Sequence, residues 1–451
     1  MSKLMVSVSG IRGIVGESLT PQTIVKFVSA YAQFSGKGKI IIGRDARITG
    51  ETVKNIVSGT LTAKGNDVID IGICPTPTVL YNVKKLGAAG GIMISASHNP
   101  NEWNALKLLN RNGEFMTPEE NKELLAILEG EKFEYSKWNE IGKSSFHKEG
   151  LKNHIHDVLQ MSIIDIDLIR SKNFKVLVDC VNGAGSFIMK EFLEELNCEV
   201  IEKDCDKNGI FPRLPEPIPE NLIGTTKAVK DNEVDLGIVV DPDVDRLVLL
   251  TNTGELFVEE NTIVQSVKYI LSKKKGNVVV NLSTTRGVDD VAESFGCKVF
   301  RAPVGEANVV KRMKEVDAVI GGEGSGGVIY PEVVFGRDAI TGVALTLQHL
   351  AEFDGTAQNL KDSLPKYEIM KAKISLGEKN PDEIVNRLTE KYSSQKINTE
   401  DGLRIDFNDH WAHLRKSNTE PIIRCIVEAK SKEKAKEALD KYFGEIKTLV
   451  E

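Results

Sequence analysis

The chain has 451 residues, of which 41% are hydrophobic and 27% are charged, and its 58 lysines and arginines against 65 aspartates and glutamates give a net charge of −7. This mild acidic balance argues against a generic binder of nucleic acid or anionic membranes, which would be basic. The proportions exclude a mainly disordered or collagen-like chain. At about 100–200 residues per domain, the length predicts three domains, within a range of two to four.

The sequence carries no signal for a membrane or for export. No apolar run approaches the roughly 20 residues that a membrane helix needs, and the start, MSKLMVSVSGIRG, lacks the apolar stretch of a signal peptide. Six cysteines are scattered without a CxxC pair, and His154 and His156 are expected at the surface. We therefore predict a cytoplasmic protein with reduced, mostly buried thiols.

Short apolar runs rich in valine and isoleucine alternate with segments of helical spacing. The runs predict strands at 39–43, 90–95, 175–180, 235–240, 277–282 and 317–322. The spacing predicts helices at 21–34, 186–197 and 305–315. This alternation indicates α/β layers with largely parallel sheets, whose strands are buried on both faces.

Changes in composition suggest where domains begin and end. The polar stretch 131–150 predicts a link between the first two domains, and the proline-rich stretch 208–220 predicts a long loop inside the second. A third unit is expected to begin within 251–260, and a further change falls at 366–380. The remainder predicts a small α+β domain. Its expected elements are a helix at 381–392, a strand-like region near 403–416, a strand at 422–429 and a final helix.

The motif SASHNP, residues 95–100, directly follows an apolar run. Small and polar residues at the end of such a strand lie at the carboxyl edge of the sheet, where open α/β sheets bind ligands. A turn there would hold the hydroxyl of Ser97 as a nucleophile or phosphate carrier, and Lys107 could neutralise a phosphate. An ordinary turn capped by His98 is the alternative interpretation.

Three aspartates alternate in DPDVDR, residues 241–246. In an extended segment this spacing directs Asp241, Asp243 and Asp245 to one face, where their charges would repel unless a cation lay among them. Oxygen ligands suit Mg²⁺, which often shares its shell with a phosphate that Arg246 would also reach. A solvated acidic turn is the alternative, and the missing glycine and distal glutamate argue against an EF-hand.

Two later loops carry groups suited to sugars and phosphates. GGEGSGG, residues 321–327, allows a close backbone approach and offers Glu323 and Ser325 to neighbouring sugar hydroxyls. RKSNTEPIIR, residues 415–424, combines guanidinium, hydroxyl and amide groups that suit a phosphate dianion. The candidates in this loop are Arg415, Ser417, Asn418, Thr419 and Arg424. A flexible glycine turn and an exposed turn before a strand are the respective alternatives.

Basic residues also cluster near the start of the chain. SGIRG contains Arg12, and GRDAR contains Arg44 and Arg47. The glycine neighbours favour a ligand-facing position for Arg12 and Arg44. Surface ion pairs are the alternative for these arginines.

Taken in chain order, SGIRG, SASHNP, DPDVDR, GEGSGG and RKSNTEP resemble the motifs of the α-D-phosphohexomutase superfamily, and the resemblance covers essentially the whole chain. It implies four domains around a central cleft: three similar α/β domains with mainly parallel mixed sheets, and a smaller C-terminal α+β domain. We place these domains at residues 1–145, 146–254, 255–367 and 368–451. They would carry the phosphoserine, metal-binding, sugar-binding and phosphate-binding loops in that order.

The resemblance also implies a role for each candidate residue. Ser97 would be the phosphoserine, beside His98, which helps to position it. The residues that hold Mg²⁺ with the phosphoryl group of Ser97 would be Asp241, Asp243 and Asp245. The residues that line the reacting site would be Arg12, Arg44, Lys107 and Arg246. The residues that bind the substrate would be Glu323 and Ser325, at sugar hydroxyls, and Arg415, Ser417, Asn418 and Thr419, at the non-reacting phosphate. From its place in the same loop, we expect Arg424 to be a second substrate-binding arginine.

The implied activity is the interconversion of hexose 6-phosphate and hexose 1-phosphate through a hexose 1,6-bisphosphate. Its partners would be these sugar phosphates rather than nucleic acid or membrane, and the protein would be a monomer or homodimer. Gly327 stands where several relatives have a histidine, and 302–308, APVGEAN, also lacks one. The general acid and base therefore stay open, as does the sugar, although GEGSGG, SGIRG and the length favour phosphoglucosamine or archaeal-like mutases.

Two other classes of function fit part of the pattern. A phosphatase with an aspartate nucleophile would use the DxD-like DPDVDR and would not need Ser97. A sugar-phosphate binding protein would need Glu323 and Arg415 but neither Ser97 nor the three aspartates. The presence of all these residues favours the mutase.

Overall fold

The computed structural model describes residues 4–377, 379–416 and 422–450. The chain divides into two compact units. The first unit comprises Met1–Tyr269 and Ser325–Asp362, and the second comprises Ile270–Gly324 and Ser363–Glu451. In the described ranges, no helix combines the length and apolar character needed to span a membrane.

Helices and strands alternate along most of the described chain. The helices are α1 (Pro21–Ser35), α2 (Gly50–Ala63), α3 (Thr76–Lys85), α4 (Pro118–Gly130), α5 (Gly150–Leu159), α6 (Ile166–Lys172), α7 (Met189–Glu195), α8 (Ile223–Asp231), α9 (Val258–Lys273), α10 (Gly287–Ser294), α11 (Glu306–Glu315), α12 (Ala339–Glu352), α13 (Ala357–Asp362), α14 (Pro381–Lys391) and α15 (Lys432–Val450). Short 3₁₀ turns occupy Ala184–Phe187 and Pro219–Asn221.

The six apolar runs that were predicted as strands all form buried strands in the structure. The strands are β1 (Met5–Ser7), β2 (Gly10–Ile14), β3 (Lys39–Arg44), β4 (Asp67–Ile73), β5 (Gly90–Ile94), β6 (Trp103–Leu109), β7 (Ser144–Phe146), β8 (Lys175–Asp179), β9 (Glu199–Lys203), β10 (Leu236–Val240), β11 (Leu247–Thr251), β12 (Asn277–Asn281), β13 (Val299–Ala302), β14 (Ala318–Glu323), β15 (Gly327–Ile329), β16 (Glu368–Ser375), β17 (Lys396–Asn398), β18 (Leu403–Asp406), β19 (His410–Lys416) and β20 (Ile422–Ala429).

The N-terminal sheet of the first unit has the strand order β1-β2-β6-β5-β3-β4-β7. β3 is parallel to β4 and β5, whereas β6 is antiparallel to β5 and β2. Ile40, Ile42, Ile92 and Ile94 are fully buried in its core, because helices cover the central strands. The carboxyl end of β5 therefore delivers residues 95–100 to one edge of this sheet.

The predicted link at 131–150 is in part a strand. Ser144–Phe146 forms β7, which pairs in parallel with β4 and extends the N-terminal sheet. All three residues of β7 are exposed. An exposed edge strand needs no apolar pattern, so its polar sequence does not distinguish it from a loop.

The second sheet of the first unit has the order β11-β10-β8-β9. β8 is parallel to β9 and β10, whereas β10 and β11 form an antiparallel pair in which Val240 is opposite Leu247. The six residues 241–246 are thus the loop of a hairpin between two buried strands. The three aspartates therefore lie in a turn, and not in the extended segment that their alternate spacing suggested.

The second unit contains a parallel group, β13-β12-β14, and an antiparallel sheet with the order β16-β20-β19-β18-β17. The region near 403–416, expected as one strand-like stretch, is two strands, because residues 407–409 turn the chain between β18 and β19. One face of the antiparallel sheet packs Leu414, Ile423 and Cys425 into a core with α14 and α15. These elements confirm the predicted α+β character of the C-terminal region.

The surface position expected for His154 is wrong, whereas His156 is exposed. His154 is completely buried; its Nδ1 lies 3.0 Å from Thr78 Oγ1 and its Nε2 lies 3.1 Å from Asp338 Oδ2. The helical period explains the difference, since α5 turns residue 154 inward and residue 156 outward. His154 thereby links α3 and α5 to the N-terminus of α12.

We expect His154→Ala to destabilise the protein by about 2–4 kcal/mol, because it leaves the buried carboxylate of Asp338 without its imidazole partner. The measurement is the midpoint of thermal unfolding by calorimetry. His156→Ala on the same helix is the matched control and should change stability by less than about 0.5 kcal/mol. Equal midpoints for the two variants would contradict a structural role for His154.

Candidate active site

Ser97 lies in the loop after β5 with its backbone fixed in an uncommon conformation. Its φ is 50°, in the left-handed region that residues other than glycine rarely adopt. Its N–H donates to Ser95 Oγ at 3.0 Å, and its carbonyl oxygen accepts a hydrogen bond from Arg47 Nη2 at 2.8 Å. Such strain persists only where surrounding contacts hold it, and it is typical of functional loops.

Arg47 is the arginine of GRDAR that supports this loop. It is 1% exposed, forms an ion pair with Asp45, and donates a second hydrogen bond to the carbonyl oxygen of Asn99 at 2.6 Å. The ring of Phe211, from the predicted proline-rich loop, lies 4.8 Å from the guanidinium. An ion pair at the surface is the alternative that the sequence offers for Arg47; the ion pair with Asp45 is present, but it is buried.

The aspartates of DPDVDR converge beneath Ser97. One carboxylate oxygen from each of Asp241, Asp243 and Asp245 lies within 4.8 Å of the others, and all three side chains are buried. Ser97 Oγ donates a hydrogen bond to Asp241 Oδ2 at 2.8 Å, across a separation of 144 residues. The structure thus joins the serine loop and the aspartate loop at one point.

Burial and the neighbouring charges shift the pKa values of Asp241 and Asp245 in opposite directions. Burial, together with the charges of Asp245 and Asp243, raises the pKa of Asp241 well above its usual value. Burial acts in the same direction on Asp245, but the cations Arg337 and Lys107 hold the pKa of that carboxyl below its ordinary value. The loop therefore combines three carboxylates with the cations Lys107, Arg337 and Arg246 in a buried setting.

Lys107 on β6 pairs with two of the aspartates. Its Nζ lies 2.5 Å from Asp243 Oδ2 and 3.2 Å from Asp245 Oδ2. Burial acts to lower the pKa of Lys107, but the two carboxylates outweigh it and raise the pKa. Thr76, at the start of α3, also donates its hydroxyl to Asp243 Oδ2. Thr76 was not singled out from the sequence, and its contact carries no local sequence signal.

The carboxylate oxygens that remain fit a divalent cation. Among the described residues, Asp243 Oδ1 and Asp245 Oδ1 are buried oxygens that accept no hydrogen bond. Asp241 Oδ1 is occupied, because it accepts the N–H groups of Asp245 and Arg246 at 3.1 Å each. Buried, unsatisfied carboxylate oxygens are costly unless a cation binds them, and an all-oxygen donor set suits a hard divalent ion.

The other predicted basic residues, Arg12, Arg246 and Arg44, differ in the groups that they contact. Arg12 Nη1 donates to Asn99 Oδ1 at 2.6 Å, so it reaches the serine loop. Arg246 Nε lies 3.9 Å from Asp245 Oδ1. Arg44 instead pairs with the exposed Glu51 at 3.0 Å, so its place at the reacting site stays a prediction.

His98 follows Ser97 and is partly buried. Its Nδ1 lies 3.5 Å from Ser97 Oγ, at the limit of a hydrogen bond. Burial lowers the pKa of His98 to about 3, and the cations Arg246 and Arg12 add to the effect. The imidazole is therefore neutral near pH 7.

The two candidates of the glycine-rich loop fall in different units. Glu323 ends β14 in the second unit, where its Oε1 accepts hydrogen bonds from Asn281 Nδ2 at 2.9 Å and the Gly305 N–H at 3.1 Å. Ser325 is partly exposed in the turn before β15, in the first unit. Gly326 has a φ of 84°, and a Cβ there would lie 2.4 Å from the carbonyl oxygen of Leu247, so this turn requires a glycine.

The two described phosphate-binding candidates, Arg415 and Arg424, lie at one end of the antiparallel sheet of the second unit. Arg415 on β19 is directly opposite Arg424 on β20, and Arg424 is in turn opposite Lys373 on β16. Cross-strand partners share a face, so the three cations form a row that repels itself unless an anion lies over it. Asp401 offsets part of this charge, since it pairs with Arg415 at 2.8 Å. Ser417, Asn418 and Thr419 lie outside the described residues.

Comparison with known proteins shows the same four-part order. Residues 3–135, 152–254 and 260–367 match phosphoglucomutase/phosphomannomutase alpha/beta/alpha domains I, II and III, and residues 370–444 match the C-terminal domain of that family. The chain thus has a four-domain architecture, one domain more than its length predicted.

Curated relatives and solved structures agree with this match. A phosphoglucomutase/phosphomannomutase of Thermococcus kodakarensis is 37% identical, with 96% of each chain covered. A phosphoglucosamine/phosphogalactosamine mutase of Sulfurisphaera tokodaii is 33% identical over the full length of both. The crystal structure of a phosphoglucomutase/phosphomannomutase family protein from Burkholderia thailandensis shares the fold, with a TM-score of 0.86, 23% identity and 98% of each chain covered. The chain belongs to the phosphoglucomutase/phosphomannomutase family.

Proposed function

We propose that this protein is a phosphohexomutase that interconverts hexose 6-phosphate and hexose 1-phosphate through a phosphoserine and a hexose 1,6-bisphosphate. The observation that carries the proposal is the hydrogen bond from Ser97 Oγ to Asp241 Oδ2, at 2.8 Å, above a buried group of three aspartates. A hydroxyl held against a cation site is suited to carry a phosphoryl group. We expect the enzyme in the cytoplasm, as a monomer or homodimer.

Asp241, Asp243 and Asp245 would hold Mg²⁺ together with the phosphoryl group on Ser97. The open Oδ1 atoms of Asp243 and Asp245 support this assignment, because a hard divalent ion takes oxygen ligands. When bound, the ion would neutralise negative charge on the phosphoryl group during transfer.

The protein's own residues would do the positioning. Arg47 and Ser95 fix the backbone of Ser97, so the hydroxyl does not need to reorganise before transfer. Lys107, Arg12 and Arg246 would offset the charge that develops on the transferred group. This division of labour suits phosphoryl transfer, which depends on orientation and charge neutralisation.

The row of Lys373, Arg415 and Arg424 would bind the phosphate that does not react. Charge repulsion within the row is relieved when a dianion lies across it. Ser417, Asn418 and Thr419 would complete the site, and Glu323 and Ser325 would contact the sugar hydroxyls. Because the bisphosphate must present either end to Ser97, a grip that recognises phosphate alone fits both orientations.

We expect Arg415→Ala to raise the KM for hexose phosphate about 10- to 100-fold, with a smaller effect on kcat. This change in KM corresponds to the loss of one charge-assisted hydrogen bond to the phosphate. Steady-state kinetics over a range of substrate concentrations provide the measurement. Lys436→Ala removes an exposed charge from α15 and serves as the control. An unchanged KM in Arg415→Ala would contradict the phosphate-binding role.

The activity itself is tested with the purified protein, Mg²⁺ and a trace of the matching bisphosphate. Coupled assays compare glucosamine, glucose and mannose phosphates, and we expect glucosamine phosphate to give the highest kcat/KM. The relatives' names support this range of sugars, since they include a phosphoglucosamine/phosphogalactosamine mutase and a phosphoglucomutase/phosphomannomutase. Release of inorganic phosphate without isomerisation would favour the phosphatase instead.

A further inference from the structure

Arg337 reaches the aspartate loop from the segment between β15 and α12. Its Nη2 lies 2.8 Å from Asp245 Oδ2, and its side chain is 12% exposed. Lys107 contacts the same oxygen at 3.2 Å. Two cations thus hold one oxygen of Asp245, while its Oδ1 accepts no hydrogen bond from the described residues.

Gly327 provides the space through which the side chain of Arg337 passes. A Cβ at Gly327 would lie 2.2 Å from Cδ and 2.8 Å from Cγ of Arg337, far inside van der Waals contact. The φ of Gly327 lies outside the left-handed region, so the backbone alone does not require a glycine there. The need for a glycine at position 327 comes from Arg337, because a Cβ would collide with the middle methylene groups of its side chain. These methylene groups cannot move aside without moving the guanidinium.

We propose that Arg337 is a positioning residue for phosphoryl transfer, which fixes Asp245 so that Oδ1 faces the cation, and that Gly327 is kept small to permit this contact. The inference rests on the proposed phosphohexomutase function. When two cations hold one oxygen of a carboxylate, the orientation of the second oxygen is fixed too. Its lone pairs then point toward the cation site before the cation binds. Contacts of this kind behind metal ligands set both the affinity for the metal and the activity.

Arg337→Ala should lower kcat about 10- to 100-fold at saturating substrate and Mg²⁺, and should weaken Mg²⁺ binding by a factor in the same range. Mg²⁺ binding is measured by isothermal titration calorimetry on dephosphorylated protein, so this result does not depend on turnover. The KM for hexose phosphate should change by less than about threefold, because the change acts through Asp245 and not on the substrate. Arg337→Lys keeps a cation at this position and should recover part of both losses.

A double-mutant cycle isolates the role of Gly327. Gly327→Ala alone should reproduce the Arg337→Ala losses, because the added methyl group displaces the arginine. In the Arg337→Ala background the methyl group has room, so Gly327→Ala should lower kcat by no more than about twofold further. If the fold-losses in kcat of the two single variants multiplied in the double variant, the two residues would act independently and the proposed coupling would be wrong.

The outcomes separate this inference from the function on which it rests. If the wild-type protein turns over no hexose phosphate, the proposed function fails. If the wild type is active but Arg337→Ala keeps its kcat and Mg²⁺ affinity, only the inference on Arg337 fails. A fall in the thermal midpoint with both parameters unchanged would make Arg337 a purely structural residue.

Discussion

Ser97→Ala is expected to reduce hexose phosphate interconversion at least about 10³-fold, because it removes the group that carries the phosphoryl between substrate positions. Ser97 Oγ is a small group in a crowded site, hydrogen bonded to Asp241 at 2.8 Å, so its removal should leave the fold intact. The coupled assay measures turnover. Intact-mass analysis should show a fraction of wild-type protein heavier by one phosphate, and no such fraction for the variant.

Ser95→Ala tests the role of the hydrogen bond that orients the backbone of Ser97, while the hydroxyl of Ser97 itself is kept. Ser95 Oγ accepts the Ser97 N–H at 3.0 Å and donates to Asp45 Oδ2 at 2.6 Å. We expect this variant to lose only about tenfold in kcat and still to become phosphorylated, since it loses orientation but keeps the carrier. If Ser97→Ala retained substantial isomerisation, or Ser95→Ala were the more damaged of the two, Ser97 would not be the phosphoryl carrier.

The parts of the fold that follow from the sequence are those with a strong local signal. Asn277–Asn281 has three consecutive valines and Leu236–Val240 is apolar throughout, and burial on both faces explains why they are recognisable. β7 has the sequence SSF at an exposed edge, where nothing selects for apolar residues. β6, Trp103–Leu109, was likewise missed, because Asn104 and Lys107 interrupt its apolar residues. The side chain of Lys107 forms ion pairs with Asp243 and Asp245, which accounts for a charged residue within this buried strand.

Some residues of the candidate site can likewise be recognised from local sequence, and others cannot. Loop motifs with unusual local chemistry, such as Ser97 and the aspartates, are visible in the sequence because few structural roles demand that spacing. Arg47, Thr76 and Arg337 act through contacts made between segments far apart in the chain, so local patterns cannot identify them. Lys373 belongs with these, since only the register of β16 against β20 places it beside Arg424.

Asp243→Asn is expected to lower kcat at least about 10²-fold and to weaken Mg²⁺ binding about 10- to 100-fold, with little change in fold. Asp243 serves two kinds of partner. Its Oδ2 accepts from Lys107 and Thr76, whereas its buried Oδ1 accepts no hydrogen bond from the described residues. Asparagine has the same shape but must turn an NH₂ group toward one side. It thus presents a donor either to the cation or to Lys107, and both arrangements are unfavourable.

The matched control is Asp231→Asn, which alters an exposed aspartate paired with Lys227 on α8. It should leave both kcat and Mg²⁺ affinity unchanged, because a surface ion pair of this kind contributes little. Titrating Mg²⁺ during turnover distinguishes the two effects of Asp243→Asn. If saturating Mg²⁺ restored wild-type kcat, the carboxylate would affect only affinity for the ion. If kcat and Mg²⁺ affinity both matched the control, Asp243 would not be a ligand, and the open oxygens of this loop would need another explanation.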